Sequence, residues 1–433
     1  MSLNGPVLQL ALDFFDLHRA VQVAKEAVVG GVDWIELGTP LIKSEGLEAV
    51  RLMKKTFPSN QIVADMKTVD TGSSEVEIAA KAGANVVSLL GMADNSTVRE
   101  AVEAGKRYGA RIMVDLIGID DMMRRAKELE SLGVEVVCVH VGIDQQMRGI
   151  RTLDKLKEVV GVLNIPVAVA GGINSETAAL AIEIGARVVI VGGAITKSGD
   201  AAASTRAIKE AMMTRTPRPT SLYKKYEQKD LFEVFSHVST ANIADAMQRK
   251  GEMKEVQSMC PGRKAVGKAV TVRTAPGDWA KPVEAIDVAG PENVIVIDSG
   301  GIGKAVWGEL ATWSCLQRKI RGVVIDGTIR DVDVIREAGF PAFSRQISPS
   351  AGDPKGFGEI NVEISCGGVK VNPDDWIVAD DSGVVVIPSD KAVEVANRAN
   401  DVLEKENRVR EEIKRGSTLS KVLRLRKWEK ITS

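Results

Sequence analysis

The chain has 433 residues, 44% hydrophobic and 27% charged, with a formal net charge of −1. That is an ordinary globular balance, long enough for two or three domains, and it has no global basic field to suggest nucleic acid or a membrane surface as a partner. No apolar run approaches the roughly 20 residues of a membrane span. Four cysteines, Cys138, Cys260, Cys315 and Cys366, lie far apart without a CxxC pair, which argues against a zinc cluster or a disulfide framework. With an N-terminus, Met1–Ser2–Leu3–Asn4–Gly5, that lacks a basic region leading into an apolar stretch, the expectation is a cytoplasmic protein.

Eight short apolar runs occupy residues 7–12, 34–37, 61–65, 85–90, 111–117, 135–140, 166–170 and 187–191. Segments of helical period lie between them at 17–29, 74–82, 96–108, 122–132 and 175–184. Strand and helix in alternation mean a parallel sheet with helical crossovers. Eight such units predict an α/β fold of the compact (β/α)8 barrel type, with a doubly wound open sheet as the alternative. The barrel reading places active-site residues at the carboxyl ends of the strands, and polar residues collect there. Asp13 ends run one, Glu36 sits in run two, Asp65 and Lys67 close run three, Asp115 is in run five and His140 ends run six. A doubly wound sheet would gather them at a single crevice.

The cluster Asp65–Met66–Lys67–Thr68–Val69–Asp70 carries most of the chemistry. Residues two apart on a strand share a face, so Asp65 and Lys67 point together, with Asp70 just beyond in a loop. A lysine among carboxylates stays protonated and keeps its neighbours ionised; a rim ion pair is the plainer alternative. Glu36 and Asp65, from adjacent strands, could converge on one oxygen-loving cation, magnesium or manganese. Asp13 could orient Lys67 or a substrate hydroxyl. His140 could move protons near neutral pH, or serve as a hydrogen-bonded structural histidine. Gly171–Gly172 and Gly192–Gly193 would offer backbone N–H groups to a phosphate after runs seven and eight.

A proline-containing connector, 214–225, separates a first domain, 1–213, from a second, 226–433. The second half reads as a mixed α/β sandwich. Helices are expected at 230–247, 304–319 and 389–415, and strands near 265–273, 293–297, 322–325, 360–364, 376–379 and 383–387. Gly300–Gly301–Ile302–Gly303–Lys304 is followed by Ala305 rather than Ser or Thr, so it is not a nucleotide loop. Arg330 beside Asp331 could clamp a carboxylate while the acid holds a metal. Backbone N–H groups of Gly308, Glu309 and Leu310, opening a helix, could receive the same anion. A capping turn with surface ion pairs is the alternative. The basic stretch 421–430 reads as a solvated or oligomer-packing helix.

Ala11–Leu12–Asp13, Ile35–Glu36–Leu37–Gly38, the 65–70 cluster and Val139–His140–Val141–Gly142 together resemble the orotidine 5′-monophosphate decarboxylase suprafamily, over about residues 5–212. Within it the sequence is most similar to the 3-hexulose-6-phosphate synthases. The resemblance implies a magnesium-dependent, reversible condensation of formaldehyde with ribulose 5-phosphate to hexulose 6-phosphate. It further implies a metal on Glu36 and Asp65, His140 as the base at C1, and Lys67 stabilising an enediolate. Asp70 would reach a neighbouring subunit's site, so a homo-oligomer, dimer or hexamer, is implied. The related 3-keto-L-gulonate-6-phosphate decarboxylases carry an arginine three residues after the histidine; here that residue is Ile143, which favours the synthase. Residues 226–415 resemble the ribonuclease E regulator-like family, which includes 4-hydroxy-4-methyl-2-oxoglutarate aldolases. That resemblance implies metal at Asp331 and pyruvate-like 2-oxoacids as ligands, or a regulatory or assembly role without catalysis.

Overall fold

Short β-branched runs separated by amphipathic segments leave the backbone few ways to bury its apolar faces, and the barrel is one of them. The computed structural model describes residues 5–423 and 425 and divides into two compact units, Met1–Lys225 with Glu404–Ser433, and Tyr226–Leu403. In the first unit, strands β1 (Val7–Leu12), β2 (Trp34–Leu37), β3 (Gln61–Thr68), β4 (Val86–Leu90), β5 (Arg111–Asp115), β6 (Val136–His140), β7 (Val167–Ala170) and β8 (Val188–Val191) form a closed barrel in sequential order. Every neighbouring pair is parallel, and β8 pairs back onto β1. The (β/α)8 expectation holds, and the open-sheet alternative falls.

Alternation decides what each strand shows to each side. Val63, Met113, Val136, Cys138, Ala168 and Val188 belong to a cluster of their own inside the barrel. Leu8, Leu10, Leu12, Ile62 and Val87 point the other way, into a larger core shared with the surrounding helices. Each such leucine or isoleucine, fully buried, contributes about 1.5–3 kcal/mol. The helix Leu17–Val29 shows the matching pattern: Asp16 caps it by accepting from the Arg19 N–H, and Ala20, Val23, Ala24 and Ala27 form its buried face.

Strand β3 runs three residues beyond the expected 61–65. Its register against β4 shifts between Ala64 and Thr68, and Lys67 there adopts φ 48. A bulge of this kind re-aims a side chain, and a left-handed lysine costs of order 1–3 kcal/mol unless its surroundings hold it.

The tail that groups with the barrel is tied to it by one buried cation. Arg408 is 2% exposed. It donates to Glu26 Oε1 at 3.1 Å, to the Ser198 carbonyl at 2.7 Å and to Glu412 Oε1 at 2.8 Å. Glu412 also pairs with Arg19 at 3.2 Å.

The second unit is built on one sheet of order β18-β17-β10-β11-β12-β13-β9. Its strands are β9 (Gln257–Ser258), β10 (Ala265–Arg273), β11 (Asn293–Asp298), β12 (Val323–Ile329), β13 (Ala342–Ile347), β14 (Glu359–Ile360), β15 (Ile364–Cys366), β16 (Val369–Val371), β17 (Trp376–Asp380) and β18 (Gly383–Ile387). The centre, β10 to β13, is parallel, and β9, β17 and β18 add antiparallel edges. Val272, Ile295, Ile297 and Ile325 pack with helices Ala280–Val288, Glu309–Gln317 and Val332–Glu337. Ala269, Val294, Val296 and Val324 face the opposite layer, which contains the β15–β16 hairpin. This is the mixed α/β sandwich expected.

Three local expectations are corrected. The helix at 230–247 is two helices, Leu231–His237 and Thr240–Ala246, because Ser239 and Asn242 form a reciprocal capping box that starts the second one afresh. The helix expected from 304 begins at Glu309; residues 304–308 are bent chain with two isolated bridges, Ala305 to Ala351 and Trp307 to Ile329. Strand β13 was not expected, since Ala342–Phe343–Ser344–Arg345–Gln346–Ile347 is half polar. Most of the basic stretch 421–430 lies outside the described residues. Among the described residues no helix is long and apolar enough to cross a membrane.

Candidate active site

At the carboxyl ends of β1 to β8 lies a cavity of about 170 Å³. Asp13, Glu36, Asp65, Lys67, His140, Gly171, Gly172, Gly192 and Gly193 all line it. Strand parity brings Glu36, Asp65, Asp115 and His140 inward, and the β3 bulge adds Lys67. The Lys67 ammonium lies 3.0 Å from Asp65 Oδ2 and 3.1 Å from Asp115 Oδ2. The same Asp115 oxygen meets His140 Nδ1 at 2.8 Å, while Asp115 Oδ1 accepts from the Ile117 N–H at 2.9 Å. Thr39 Oγ1 donates to Asp65 at 2.9 Å, and Gln9 Nε2 donates to Glu36 Oε2 at 2.6 Å. Asp13 packs against Gly38, where a Cβ would collide with its carboxylate.

The electrostatics sort these acids into two kinds. Burial would lower the Lys67 pKa, but Asp65 and Asp115 outweigh it and hold the ammonium well above its ordinary value. Burial would likewise raise Asp115, yet His140, Lys67 and the Ile117 N–H bring it below the usual carboxylate range. Glu36 and Asp13 go the other way. Desolvation by the surrounding cavity first, then the charge of Asp65, raises Asp13, although its side chain also reaches solvent, and pushes buried Glu36 well up. Lys67 therefore does not lower the pKa of every acid around it. Its pairs go to Asp65 and Asp115, and desolvation wins at the other two acids.

Asp70 is not brought into this cavity. It is exposed, and its Oδ1 accepts from the Thr71 N–H at 2.7 Å. Among the lining residues that had no role assigned from sequence are Asp115, Gln9, Ser88, Gln146 and Tyr223. Asp115 was visible as a strand-end acid, and Gln9 as an amide inside an apolar strand. Tyr223 lies in the connector and left no periodic signal. Cys138 also lines the cavity; burial pushes its thiol well up, and all four cysteines are buried.

In the second unit Gly308, Glu309, Arg330 and Asp331 come together. Arg330 Nε lies 3.3 Å from Asp331 Oδ2, which also accepts from the Glu309 N–H at 3.1 Å. A Cβ on Gly308 would meet that oxygen at 2.6 Å, so glycine is required for the approach. Asp331 holds φ 57. Leu310, the third residue expected here, is 78% exposed. The carboxylate of Asp331 thus takes one of the N–H groups expected to receive an outside anion.

Residues 6–208 match the family model "Orotidine 5′-phosphate decarboxylase / HUMPS family". The 3-hexulose-6-phosphate synthase of Bacillus subtilis (strain 168) is 39% identical over 207 residues, 48% of this chain and 98% of that protein. The barrel half belongs to the orotidine 5′-phosphate decarboxylase/HUMPS family. It is an enzyme of the lyase class, as the motif resemblance implied. A synthase of the same name from Mycobacterium gastri is 40% identical over 205 residues, 47% of this chain and 99% of that protein. A solved 3-hexulose-6-phosphate synthase from Salmonella typhimurium is 37% identical, covering 48% of this chain and 99% of that one, with a TM-score of 0.47. Beyond the HUMPS-family barrel, residues 240–386 match the model "Aldolase/RraA", and the second unit has an RraA-like fold.

The barrel's donor set suits a hard divalent cation. Glu36 and Asp65 are buried oxygen donors, and Gln9 Oε1 is buried without a hydrogen-bond partner. Among the described residues no three His, Cys, Asp or Glu side chains are close enough to hold a metal alone. Water and substrate oxygens would complete the shell, as magnesium sites commonly require.

Proposed function

We propose that the barrel is a 3-hexulose-6-phosphate synthase, joining formaldehyde to D-ribulose 5-phosphate in a reversible aldol reaction. The observation that carries this reading is the chain Asp65–Lys67–Asp115–His140, linked at 2.8–3.1 Å inside one cavity. With Nδ1 held by Asp115, His140 takes the C1 proton of the ketose at Nε2. The Lys67 ammonium stabilises the negative charge that develops as the enediolate forms. C1 then bonds to the formaldehyde carbon, and a proton passes to the former aldehyde oxygen to give the hexulose 6-phosphate. Asp13 orients the substrate hydroxyls. Backbone N–H groups of Gly171, Gly172, Gly192 and Gly193 receive the phosphate. Glu36 and Asp65 would hold magnesium or manganese, which supplies electrophilic stabilisation of oxygen charge when bound.

Asp70, turned outward, fits the reading in which it serves a neighbouring copy in a dimer or hexamer. The domain scheme is a synthase barrel over 1–213, a connector, and a regulator-like or aldolase-like domain from 226, with the tail from Glu404 returning to the barrel unit, in the cytoplasm. The decarboxylase alternative is not favoured: the curated relatives described above carry the synthase name, and apolar Ile143 lines the cavity. The deciding experiment supplies the full-length chain with ribulose 5-phosphate, formaldehyde and magnesium. Formaldehyde is expected to disappear in step with hexulose 6-phosphate formation. Carbon dioxide release from 3-keto-L-gulonate 6-phosphate, without formaldehyde consumption, would replace this reading with the alternative.

For the second unit, Arg330 beside Asp331 and Gly308 supports a carboxylate clamp for a 2-oxoacid. The full-length chain with oxaloacetate and magnesium is expected to release pyruvate, and Arg330→Ala to slow that release by about a hundredfold. No pyruvate from the wild-type chain would leave the unit a regulatory or assembly module.

A further inference from the structure

The cavity's glycine-turn end is not built only from the segment shared with the synthase relatives. About 205 residues of this chain account for 98–99% of those relatives' lengths, and the family match ends at residue 208. Tyr223 lies beyond it, yet lines the cavity beside Gly192 and Gly193. Its ring rests on Gly193 so closely that a Cβ there would collide with it. Tyr223 is 8% exposed and holds φ 55, an uncommon backbone state for a bulky residue that persists only where the surroundings impose it.

Those surroundings are on the same unit. The Tyr223 N–H donates to Glu404 at 2.6 Å, and Glu404 is itself buried, one helical turn before the Arg408 anchor. The strand of chain leading to Tyr223 is pinned to the helix Ser175–Ile184: Ser175 Oγ donates to the Arg218 carbonyl at 2.8 Å, and the Thr220 N–H donates to Glu176 at 2.9 Å. Two ammonium groups then converge on the ring. Lys225 Nζ lies 4.1 Å and Lys197 Nζ 4.6 Å from its centroid. Lys197 follows Gly193–Thr196 directly, and its charge reaches the cavity, where it opposes the burial-driven rise of Asp13. A cation on an aromatic face keeps its charge while its position is restricted.

We propose that residues 218–225, held by Glu404, form a fixed wall at the glycine-turn end of the cavity. In it the Tyr223 ring backs the Gly192–Gly193 turn, and the ammonium groups of Lys225 and Lys197, held on that ring, supply the positive field that favours the anionic end of a phosphorylated substrate there. The inference rests on the reading above that the glycine turns receive a phosphate. Tyr223 lines the site, Lys225 and Lys197 act on the anion through their charge, and Glu404 is a positioning residue that acts through the Tyr223 backbone.

The test titrates the full-length protein with inorganic phosphate by calorimetry and, separately, measures KM and kcat for ribulose 5-phosphate. Lys225→Ala and Tyr223→Ala are each expected to weaken phosphate binding by about tenfold, and to raise KM similarly with kcat within about twofold. Tyr223→Phe keeps the ring and should bind as the wild type does. Glu404→Ala should weaken binding, and Glu404→Gln, which still offers an acceptor, should restore it. Should Tyr223→Ala fail to fold, half-buried Lys225 decides the matter through Lys225→Ala. Wild-type phosphate affinity in the folded Lys225→Ala protein, or no phosphate binding by the wild type, overturns the wall. A wild-type chain that leaves formaldehyde untouched, but whose variants lose phosphate as described, sinks the synthase reading and sustains the wall.

Discussion

Lys67→Ala is expected to lower formaldehyde-dependent consumption of ribulose 5-phosphate by about 10²–10³-fold, the loss typical when one preorganised charge is removed from a transition state. The ammonium sits 3.0 and 3.1 Å from two buried carboxylates. Without it, Asp65 and Asp115 lose the cation they share and keep only Thr39, His140 and the Ile117 N–H, and no ammonium remains between them to meet the developing enediolate charge. Lys67→Arg should not rescue, since a planar fork cannot occupy the place of a compact ammonium held on a bulge. Folding provides the control. At φ 48 a glycine relieves strain that alanine keeps, so Lys67→Gly should unfold in urea about 1 kcal/mol later than Lys67→Ala. Turnover by folded Lys67→Ala within tenfold of the wild type would remove the lysine from the mechanism.

Arg408→Ala should destabilise the barrel unit by about 3 kcal/mol, the lower end of the range for breaking a buried ion pair. The guanidinium serves Glu26, the Ser198 carbonyl and Glu412 at once. Its removal takes this donor from Glu26 and the Ser198 carbonyl, leaves Glu412 to Arg19, and opens a void where a fully buried side chain stood. Arg408→Lys cannot span the three acceptors and is expected to recover less than half the loss. The readout is urea unfolding of the full chain, followed by a signal from the barrel, because two units need not unfold in one step. A shift below about 1 kcal/mol would mean that the tail's apolar contacts, rather than this cation, hold it in place.

Much of this was legible in the sequence, for identifiable reasons. Barrel strands are buried on both sides, so they read as unbroken apolar runs, and the polar residues that interrupt them stand out at the ends where the chemistry lies. Asp13, Glu36, Asp65 and His140 could be found that way. The β3 bulge could not, because a register shift changes which side chains converge without changing composition. Asp65 and Lys67 do share the cavity, but the bulge rather than alternation brings Lys67 in, and its pairing with Asp115, a partner 48 residues away, left no sequence signal. The start of Glu309–Gln317 was misplaced because glycines and an isolated Trp307 bridge override a helical pattern that begins at 304. Tyr223 stayed hidden because two prolines nearby mark a connector, and a connector's single aromatic shows no periodicity.

The burial of every cysteine has a consequence under the proposed synthase reading, in which the cavity receives formaldehyde. That molecule alkylates thiolates, and Cys138 stands in the cavity wall. Because burial keeps its sulfur protonated, and a neutral thiol is a poor nucleophile, the reactive aldehyde can dwell beside it without forming a hydroxymethyl adduct. Cys260, Cys315 and Cys366 are sheltered from bulk solvent as well. On that reading, a barrel working in its own electrophile would be spared self-inactivation through sulfur.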